Sequence, residues 1–466
     1  VGDGGNDSIS AVLQAAGATG TTVAPGDSVD GKDGTDTFTI SVAGDANAAY
    51  TISALTLDNV EKFFLSNFDT NAEATTVETS LMTGLTTVGL SSSGADGDTI
   101  LDGFKNNVDA ELRNGAADLT LTYDGTYKTT GTADTQKLTV SGVTAGTFDV
   151  AGIETLNINS ELVKSTLTAA TSSTLKTVNV TGDKDLTIST ALAFYGTANT
   201  LDASTFTGKL TAGVGASKVT VKGGTADDTF KFGGTLTKDD VVDGGAGTDT
   251  LTMTAAALTT EFAKVSSVET VAFDSSKSVG MDVSKLSSGV TTVQVDLVDS
   301  DAEDNAIDAS TITNLGSETV VIKRTAADNV AAGASAADDG AADGVKLTIT
   351  PATDTSDDTV NVTLDAVSTV ALFKAVDELA VGNYETVNIT NKKSTTVTAA
   401  EVATLTTSLA KSVTISGDSN LTIGTITGGA MTSFDASALA GTLTATFGVA
   451  DKITAKAATK NTTFNF

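Results

Sequence analysis

The sequence predicts an all-β protein made of repeated parallel β-solenoid or β-roll units with short strands. The first observation behind this prediction is that alternating apolar and polar residues, rich in threonine and valine, recur along the chain. The second is a repeated unit, and the third is a set of glycine–aspartate turns with fixed spacing. Units that recur in this way indicate a stack of similar turns.

The strands are predicted to be short because turn residues separate them. Glycine lies between the alternating runs, and the chain has only two prolines, Pro25 and Pro351. Helical spacing of apolar residues occurs in two segments, at Val370, Phe373, Val376 and Leu379 and at Val402, Leu405 and Leu409. We predict two short helices there, as minor elements.

The repeated unit is marked by a strand of the form V-E-T-V-x-V, which we call the marker strand. Its four copies contain the glutamates Glu61, Glu154, Glu269 and Glu385. A second alternating strand follows each copy, at Val88 with Leu90, Val178 with Val180, Val293 with Val295 and Val413 with Ile415. An Asp-Ala-Ser step then follows at residues 202–204, 308–310 and 435–437, with a weaker copy at 109–111. The constant order predicts four homologous β units.

The glycine–aspartate turns fit the calcium-binding nonapeptide GGxGxDxUx. Residues 244–252 match it at every fixed position, so Asp249 is the predicted ligand and Leu251 the inward apolar residue. Residues 223–231 depart only at Ala226 and leave Asp228 as the ligand. Such a turn offers backbone carbonyls and one carboxylate, and glycine permits the backbone angles that bring the carbonyls toward an ion.

A second pair of turns lies near the start of the chain. Residues 2–10 depart from the pattern at Asp3 and residues 31–39 at Lys32. The predicted metal-binding residues of both pairs are Asp7, Asp36, Gly223, Asp227, Asp228, Asp243, Gly244, Gly245, Gly247 and Asp249, with Asp98 and Asp358 as weaker candidates. In regular rolls, turns on one side are about 18 residues apart and two turns enclose each ion. The wider spacing here predicts looped rolls with one or two ions per pair.

One copy of the turn has lost its ligand. Residues 452–464 repeat residues 218–230, but Ala457, Ala458 and Thr462 replace the two glycines and the aspartate. This copy is predicted not to bind calcium. It stops where the earlier copy continues into another roll, and the chain starts inside a glycine–aspartate turn, so we expect it to be part of a longer protein.

Composition excludes several classes of function. Lys and Arg total 27 against 58 Asp and Glu, a net charge of −31, which repels nucleic acids and attracts divalent cations. The chain has no cysteine or histidine, so it can form no disulfide, no thiolate or imidazole zinc site and no catalytic triad that needs either residue. The remaining oxygen ligands suit calcium. No apolar stretch is long enough to predict a membrane span.

Taken together, these motifs resemble the calcium-binding RTX proteins that Gram-negative bacteria export by type I secretion, and more narrowly the Caulobacter-type surface-layer proteins. The resemblance rests on residues 227–230, 242–251, 268–270 and 433–438 and covers most of the chain. It implies secretion without a cleaved signal, calcium-triggered folding outside the cell and a two-dimensional array on lipopolysaccharide. The anchoring and export regions of that family are not visible here, so any attachment to lipopolysaccharide is expected through a region outside this chain.

The predicted domains follow from these motifs. They are an RTX-like calcium roll at 1–45, β units one and two at 46–215, a second RTX-like roll at 216–255, unit three at 256–345, and unit four with a degenerate RTX-like end at 346–466. Residues 326–344 are rich in Ala, Asp and Gly without periodicity and are predicted to form a loop or linker. Clustered aspartates should repel one another without calcium, so we expect binding and folding to be coupled.

Three functions compete at this stage. A structural lattice protein on the cell surface fits best, because repeated β units with calcium at their joints give a stiff body that can self-associate. A secreted adhesin or biofilm matrix protein is the nearest rival, although 5% aromatic residues and no tryptophan give little support for sugar stacking. An RTX-bearing hydrolase would need paired carboxylates such as Asp239 with Asp240 or Asp338 with Asp339. No nucleophile elbow, HExxH or Walker motif is present, so we expect no enzymatic activity.

Overall fold

The structure is a computed structural model. It describes residues 2–14, 19–44, 50–70, 73–125, 127, 131, 133–254, 262, 264–273, 280–296, 308–323, 345–365, 373–392, 399–448 and 452–466. The predicted linker at 326–344 lies outside the described residues.

The fold is all-β, as predicted, and parallel strands stack as a β-solenoid. By internal contacts the chain divides into two compact units. Unit 1 comprises Val1–Thr235 and Asp239–Asp249, and unit 2 comprises Leu236–Lys238 and Thr250–Phe466. The five predicted domain ranges are finer than this division and stay a prediction.

The strands of unit 1 are short. They are β1 (Ser8–Leu13), β2 (Ser28–Asp30), β3 (Thr37–Val42), β4 (Thr51–Ile52), β5 (Thr56–Asp58), β6 (Lys62–Asn67), β7 (Thr75–Glu78), β8 (Thr87–Ser91), β9 (Thr99–Phe104), β10 (Asp109–Arg113), β11 (Leu119–Tyr123), β12 (Thr135–Ser141), β13 (Thr147–Val150), β14 (Thr155–Ser160), β15 (Ser165–Leu167), β16 (Ala169–Thr171), β17 (Thr177–Gly182), β18 (Leu186–Leu192), β19 (Asn199–Asp202), β20 (Leu210–Val214), β21 (Val219–Lys222), β22 (Thr229–Gly233) and β23 (Val241–Asp243).

Unit 2 continues the same architecture. Its strands are β24 (Thr250–Met253), β25 (Val265–Ser266), β26 (Thr270–Phe273), β27 (Gly280–Asp282), β28 (Thr292–Asp296), β29 (Asp308–Leu315), β30 (Thr319–Lys323), β31 (Val345–Pro351), β32 (Thr359–Asp365), β33 (Phe373–Val381), β34 (Thr386–Lys392), β35 (Ala399–Thr407), β36 (Ser412–Gly417), β37 (Asn420–Thr427), β38 (Ser433–Leu439), β39 (Leu443–Phe447), β40 (Thr454–Lys456) and β41 (Thr462–Asn465). A 3₁₀ helix spans Val283–Lys285. Within the described ranges, we find no helix with the length and hydrophobicity needed to cross a bilayer.

Neighbouring strands in each long sheet come from successive solenoid turns. In unit 1 the longest sheet runs β1, β3, β6, β8, β10, β12, β14, β17, β19, β21 and β23, and a second runs β4, β7, β9, β11, β13 and β16. Two others run β15, β18, β20 and β22, and β2 with β5. In unit 2 one sheet runs through β24, β26, β28, β30, β32, β34, β36, β38 and β40, and another through β27, β29, β31, β33, β35, β37, β39 and β41.

Inward side chains form continuous rows because the parallel register pairs like positions. Phe38 pairs with Phe63, and Phe63 with Val88. The two phenylalanine rings stack with centroids 6.2 Å apart and an interplanar angle of 12°. Burying one such ring contributes about 1.5–3 kcal/mol, so these rows form the core of the solenoid.

The four marker strands are confirmed as strands, at β6, β14, β26 and β34. Each pairs directly with the second alternating strand of its unit, which is β8, β17, β28 or β36. The marker strand and the second strand of each predicted unit therefore lie on neighbouring turns.

The two predicted helices are wrong, because both segments are strands. Val376 and Leu379 lie in β33, and Val402 and Leu405 lie in β35, while Val370 lies outside the described residues. Val376 pairs with Val402 and Leu379 with Leu405, and all four side chains are buried. In each strand two outward-facing residues separate the two buried ones. Both strands therefore bend at the same aligned positions. This corner produces the three-residue spacing that resembled a helix.

Candidate metal-binding turns

The two best-matched turns of unit 1 lie at one corner of the solenoid, on successive turns. Residues 223–228 follow β21, and residues 244–249 follow the neighbouring strand β23. The Asp228 amide donates to Asp249 Oδ1 at 2.7 Å, and the Gly223 amide donates to the Asp243 carbonyl at 2.7 Å. The structure therefore brings the predicted pair of ligands, Asp228 and Asp249, together.

The glycines of the pattern are required by this close stacking. Gly245 and Gly247 have φ angles of +96° and +133°, which L side chains rarely adopt. A β-carbon at Gly245 would lie 2.3 Å from the Gly224 carbonyl oxygen. At Gly223 it would lie 1.8 Å from the carbonyl oxygen of Gly244. The nonapeptide glycines thus let carbonyl groups of one turn approach the next turn.

Asp228 is buried, and both of its carboxylate oxygens accept backbone hydrogen bonds. Oδ1 accepts from the Leu210 amide at 2.8 Å and Oδ2 from the Gly224 amide at 2.7 Å. Burial raises the pKa of Asp228, and this effect outweighs the two amide bonds, which lower it. Asp228 therefore closes its own turn as well as offering a charge to the corner.

Asp227 and Asp243 lie at the surface of the same corner. Asp227 Oδ2 pairs with Lys209 Nζ at 2.9 Å, and Asp227 Oδ1 accepts from the Thr248 amide at 3.0 Å. The bond from Lys209, followed by the Thr248 amide, lowers the pKa of Asp227. Asp243 is exposed and accepts from the Gly245 amide at 3.4 Å. Both residues are oriented by neighbouring groups in the turn and do not point into its buried interior.

The first pair of turns stacks in the same way. The Asp7 amide donates to Asp36 Oδ1 at 2.7 Å, and β1 pairs with β3 from Ser8 and Thr37 onward. Asp7 Oδ2 accepts from the Asp3 amide at 2.8 Å, which repeats the bond between Gly224 and Asp228. Asp7 is half-buried, whereas Asp36 is fully buried.

Asp36 differs from Asp7 and Asp228 because its second carboxylate oxygen lacks the amide bond that closes the turn. Lys32, four residues before Asp36, has a φ angle of +73°, and its amide donates to Asp30 Oδ1 at 3.1 Å. Asp36 Oδ2 is buried and has no hydrogen-bond partner in the described structure. The Lys32 amide is directed to Asp30, as the Gly245 amide is directed to Asp243 in the full-consensus turn, so it does not close the turn on Asp36 Oδ2.

Two oxygens of the kind that calcium prefers lie beside Gly31. A β-carbon on Gly31 would lie 2.1 Å from the Asn59 carbonyl oxygen and 2.5 Å from Asp36 Oδ2, so a carbonyl and a carboxylate oxygen converge beside this glycine. Such hard oxygens are the ligands that calcium prefers. Among the described residues no group of three or more acidic side chains could hold a metal by itself. Backbone carbonyls would have to supply most of the ligands.

The degenerate turn shows which part of the motif closes the turn. The Ala458 amide donates to Thr462 Oγ1 at 3.0 Å, in the place of the Gly224 to Asp228 bond. A neutral hydroxyl is therefore sufficient for closure. The aspartates of the other turns add a negative charge that this hydrogen bond does not require.

Two features of these corners were missed from the sequence. Asp118 continues a ladder from the weaker candidate Asp98, since the Asp118 amide donates to Asp98 Oδ1 at 2.8 Å and burial raises the pKa of Asp98. The marker glutamates Glu61, Glu154 and Glu385 accept hydrogen bonds from aspartate amides of neighbouring turns. Asp118 could have been found from the sequence, because it lies just before an alternating strand, one turn after Asp98.

The chain was also compared with known proteins. No protein-family model matches it, and no curated protein matches it.

Proposed function

We propose that this chain is a structural surface-layer protein, which binds calcium in its glycine–aspartate turns and assembles into a two-dimensional lattice on the bacterial cell surface. It reaches the exterior by type I secretion and has no catalytic role. Lipopolysaccharide holds the lattice through a region outside this chain. The β-solenoid fold is compatible with such a role and equally with an RTX-type adhesin.

The observation that carries the calcium part is the Asp36 carboxylate. It is fully buried, and its Oδ2 has no hydrogen-bond partner among the described residues. A buried carboxylate oxygen without a partner is costly, and a cation beside it removes that cost. Thr462 supports the same conclusion, because a hydroxyl closes its turn without any charge.

The charge of the chain supports the lattice part. Each molecule carries −31, so neighbouring molecules repel one another at low ionic strength. Calcium bound at turns and between molecules would reduce this repulsion and allow lateral contact. The regular side of a parallel solenoid offers a long surface for such contacts.

The proposal is tested by electron microscopy of the purified full chain. We expect ordered sheets in millimolar calcium and dispersed particles in chelator or in magnesium at the same ionic strength. Asp36→Asn keeps a hydrogen-bond acceptor for the Asp7 amide but removes the charge, so it should need more calcium to form sheets. Asp183→Asn is the matched control, because the Asp183 side chain is 62% exposed and pairs only with its neighbour Lys184 in the described contacts.

The outcomes separate the candidate functions. Dispersed particles at every calcium concentration, with measurable calcium binding, would exclude the lattice. Dispersed particles that bind glycan-coated surfaces would favour the adhesin. Absence of calcium binding by titration calorimetry would exclude the calcium-dependent mechanism altogether.

A further inference from the structure

The marker glutamates make a contact that their role as repeat markers did not reveal. At Glu61, Glu154 and Glu385 an aspartate amide of the preceding turn donates to the glutamate Oε2: Asp36 to Glu61 at 2.7 Å, Asp134 to Glu154 at 3.0 Å and Asp358 to Glu385 at 3.0 Å. The strand register pairs the same positions, because Thr37, Thr135 and Thr359 align with Lys62, Thr155 and Thr386. One contact thus recurs between neighbouring turns.

The backbone directs the glutamate in the same way in all four copies. The residue two positions earlier has a positive φ angle in each: Asn59 (+52°), Gly152 (+76°), Ser267 (+51°) and Asn383 (+62°). The apolar residue between them is buried, at Val60, Ile153, Val268 and Tyr384. A residue in the left-handed backbone conformation, followed by a buried apolar residue that we call the anchor, therefore fixes the position of the glutamate backbone.

At the start of the chain these contacts form a series. The Asp7 amide donates to Asp36 Oδ1, and the Asp36 amide donates to Glu61 Oε2. Glu61 therefore holds the backbone of Asp36, whose buried Oδ2 has no hydrogen-bond partner among the described residues. The direction of that oxygen depends on the backbone that Glu61 holds.

We propose that the marker glutamates are positioning residues for the acidic turns, and that Glu61 sets the calcium affinity of the turn at Asp36 without binding the ion itself. The affinity part rests on the proposed function, whereas the hold on the aspartate amide does not. Groups that orient a metal ligand commonly change metal affinity by about 10–100-fold when they are removed.

The test uses the full chain with Glu61→Ala, Glu61→Gln and the control Glu78→Ala, which changes an exposed glutamate of the same unit. In chelator, hydrogen exchange at the Asp36 amide should become faster in Glu61→Ala. It should stay slow in Glu61→Gln, because the amide oxygen still accepts. Calcium binding to the 2–36 turns, followed by calorimetry, should weaken about tenfold in Glu61→Ala and stay near wild type in Glu61→Gln.

Unchanged exchange in Glu61→Ala would overturn the positioning role. Loss of affinity in Glu61→Gln equal to that in Glu61→Ala would also overturn it, since the charge rather than the hydrogen bond would then matter. If the wild-type chain binds no calcium but exchange at the Asp36 amide is still faster in Glu61→Ala, the proposed function is wrong. The hydrogen bond from the Asp36 amide to Glu61 is then still supported as a positioning contact. Should Glu61→Ala not fold, Glu385→Ala and exchange at Asp358 test the same contact in unit 2.

Discussion

Tyr384 and Tyr123 are both buried tyrosines, but their hydroxyl groups have different surroundings. Tyr384 occupies the anchor position of the fourth marker strand, and its hydroxyl has no hydrogen-bond partner in the described structure. The Tyr123 hydroxyl donates to Gln136 Oε1 at 2.6 Å, and Gln136 is fully buried. Burial raises the pKa of both tyrosines, so both remain neutral at physiological pH. The other three anchors are Val or Ile, so the anchor position does not require a hydroxyl.

We expect opposite outcomes when the two hydroxyls are removed. Tyr384→Phe removes a buried polar group without a partner and should be neutral or stabilising by about 1 kcal/mol. Tyr123→Phe leaves Gln136 with an unpaired buried oxygen and should destabilise by about 1–3 kcal/mol. Urea unfolding of both variants measures the difference. Equal losses in both variants would mean that the Tyr384 hydroxyl has an unrecognised partner.

At the scale of elements, the Asp-Ala-Ser step joins neighbouring turns. Asp435 Oδ1 accepts a hydrogen bond from the Ser437 amide at 3.0 Å and another from the Ser437 hydroxyl at 2.6 Å. Asp435 Oδ2 pairs with Lys456 Nζ at 2.6 Å, and the two residues are aligned in β38 and β40. Asp202 makes the same contacts with Ser204 and, at 3.0 Å, with Lys222. At Asp202 and Asp435 the step therefore combines a local bond to serine with a lysine pair one solenoid turn later.

This contact gives a pH dependence with a definite sign. Lys456, followed by the two bonds from Ser437, lowers the pKa of Asp435 below its ordinary value of 3.8. A lowered pKa of the folded state stabilises the fold above the ordinary value, and this contribution is lost as the pH falls through the lowered one. Asp435→Asn should therefore be less stable than wild type at pH 7, with a difference that shrinks below about pH 4. Denaturant unfolding of both proteins between pH 7 and pH 2 measures this difference in the free energy of unfolding.

A constant difference down to pH 2 would show that the Asp435→Asn substitution acts through packing rather than charge. Ser437→Ala provides a second variant, because it removes the hydroxyl bond and leaves the Lys456 pair. Its difference from wild type should be smaller than that of Asp435→Asn at neutral pH.

At the scale of the whole molecule, the net charge of −31 acts on every part of the fold. Sodium chloride screens such repulsion without needing a site, because the Debye length falls to about 3 Å at 1 M. A specific cation instead stabilises by mass action, by about 2.7 kcal/mol for one site at 100 times its Kd. The two effects can be distinguished by replacing the aspartates proposed as ligands.

We therefore expect sodium chloride to raise the melting temperature of wild type and of Asp228→Thr together with Asp36→Asn by similar amounts. Millimolar calcium at constant ionic strength should raise the melting temperature of wild type only. Thr462 is the precedent for threonine in such a turn, so the double variant should retain its solenoid by circular dichroism. An equal calcium effect in both proteins would remove the two aspartates as ligands.

Much of the fold could be predicted because parallel stacking repeats itself locally. Strand alternation, glycine spacing and the order of marker strands each depend on residues close in sequence. The corner at Val376 and Leu379 could not be predicted, because a bend between two inward residues and one helical turn give the same spacing. Only the alignment with Val402 and Leu405 on the next turn distinguishes them.

By itself, the sequence determined an acidic, all-β stack of parallel strands with glycine–aspartate turns, since these follow from composition and short-range pattern. The tertiary structure decided which oxygen of each aspartate is available. Asp7 Oδ2 and Asp228 Oδ2 close their own turns, whereas Asp36 Oδ2 does not. The Asp36 amide is held by Glu61 from the next turn. The Asp7 and Asp36 amides donate to side chains 29 and 25 residues away in sequence, and only folding brings these groups together.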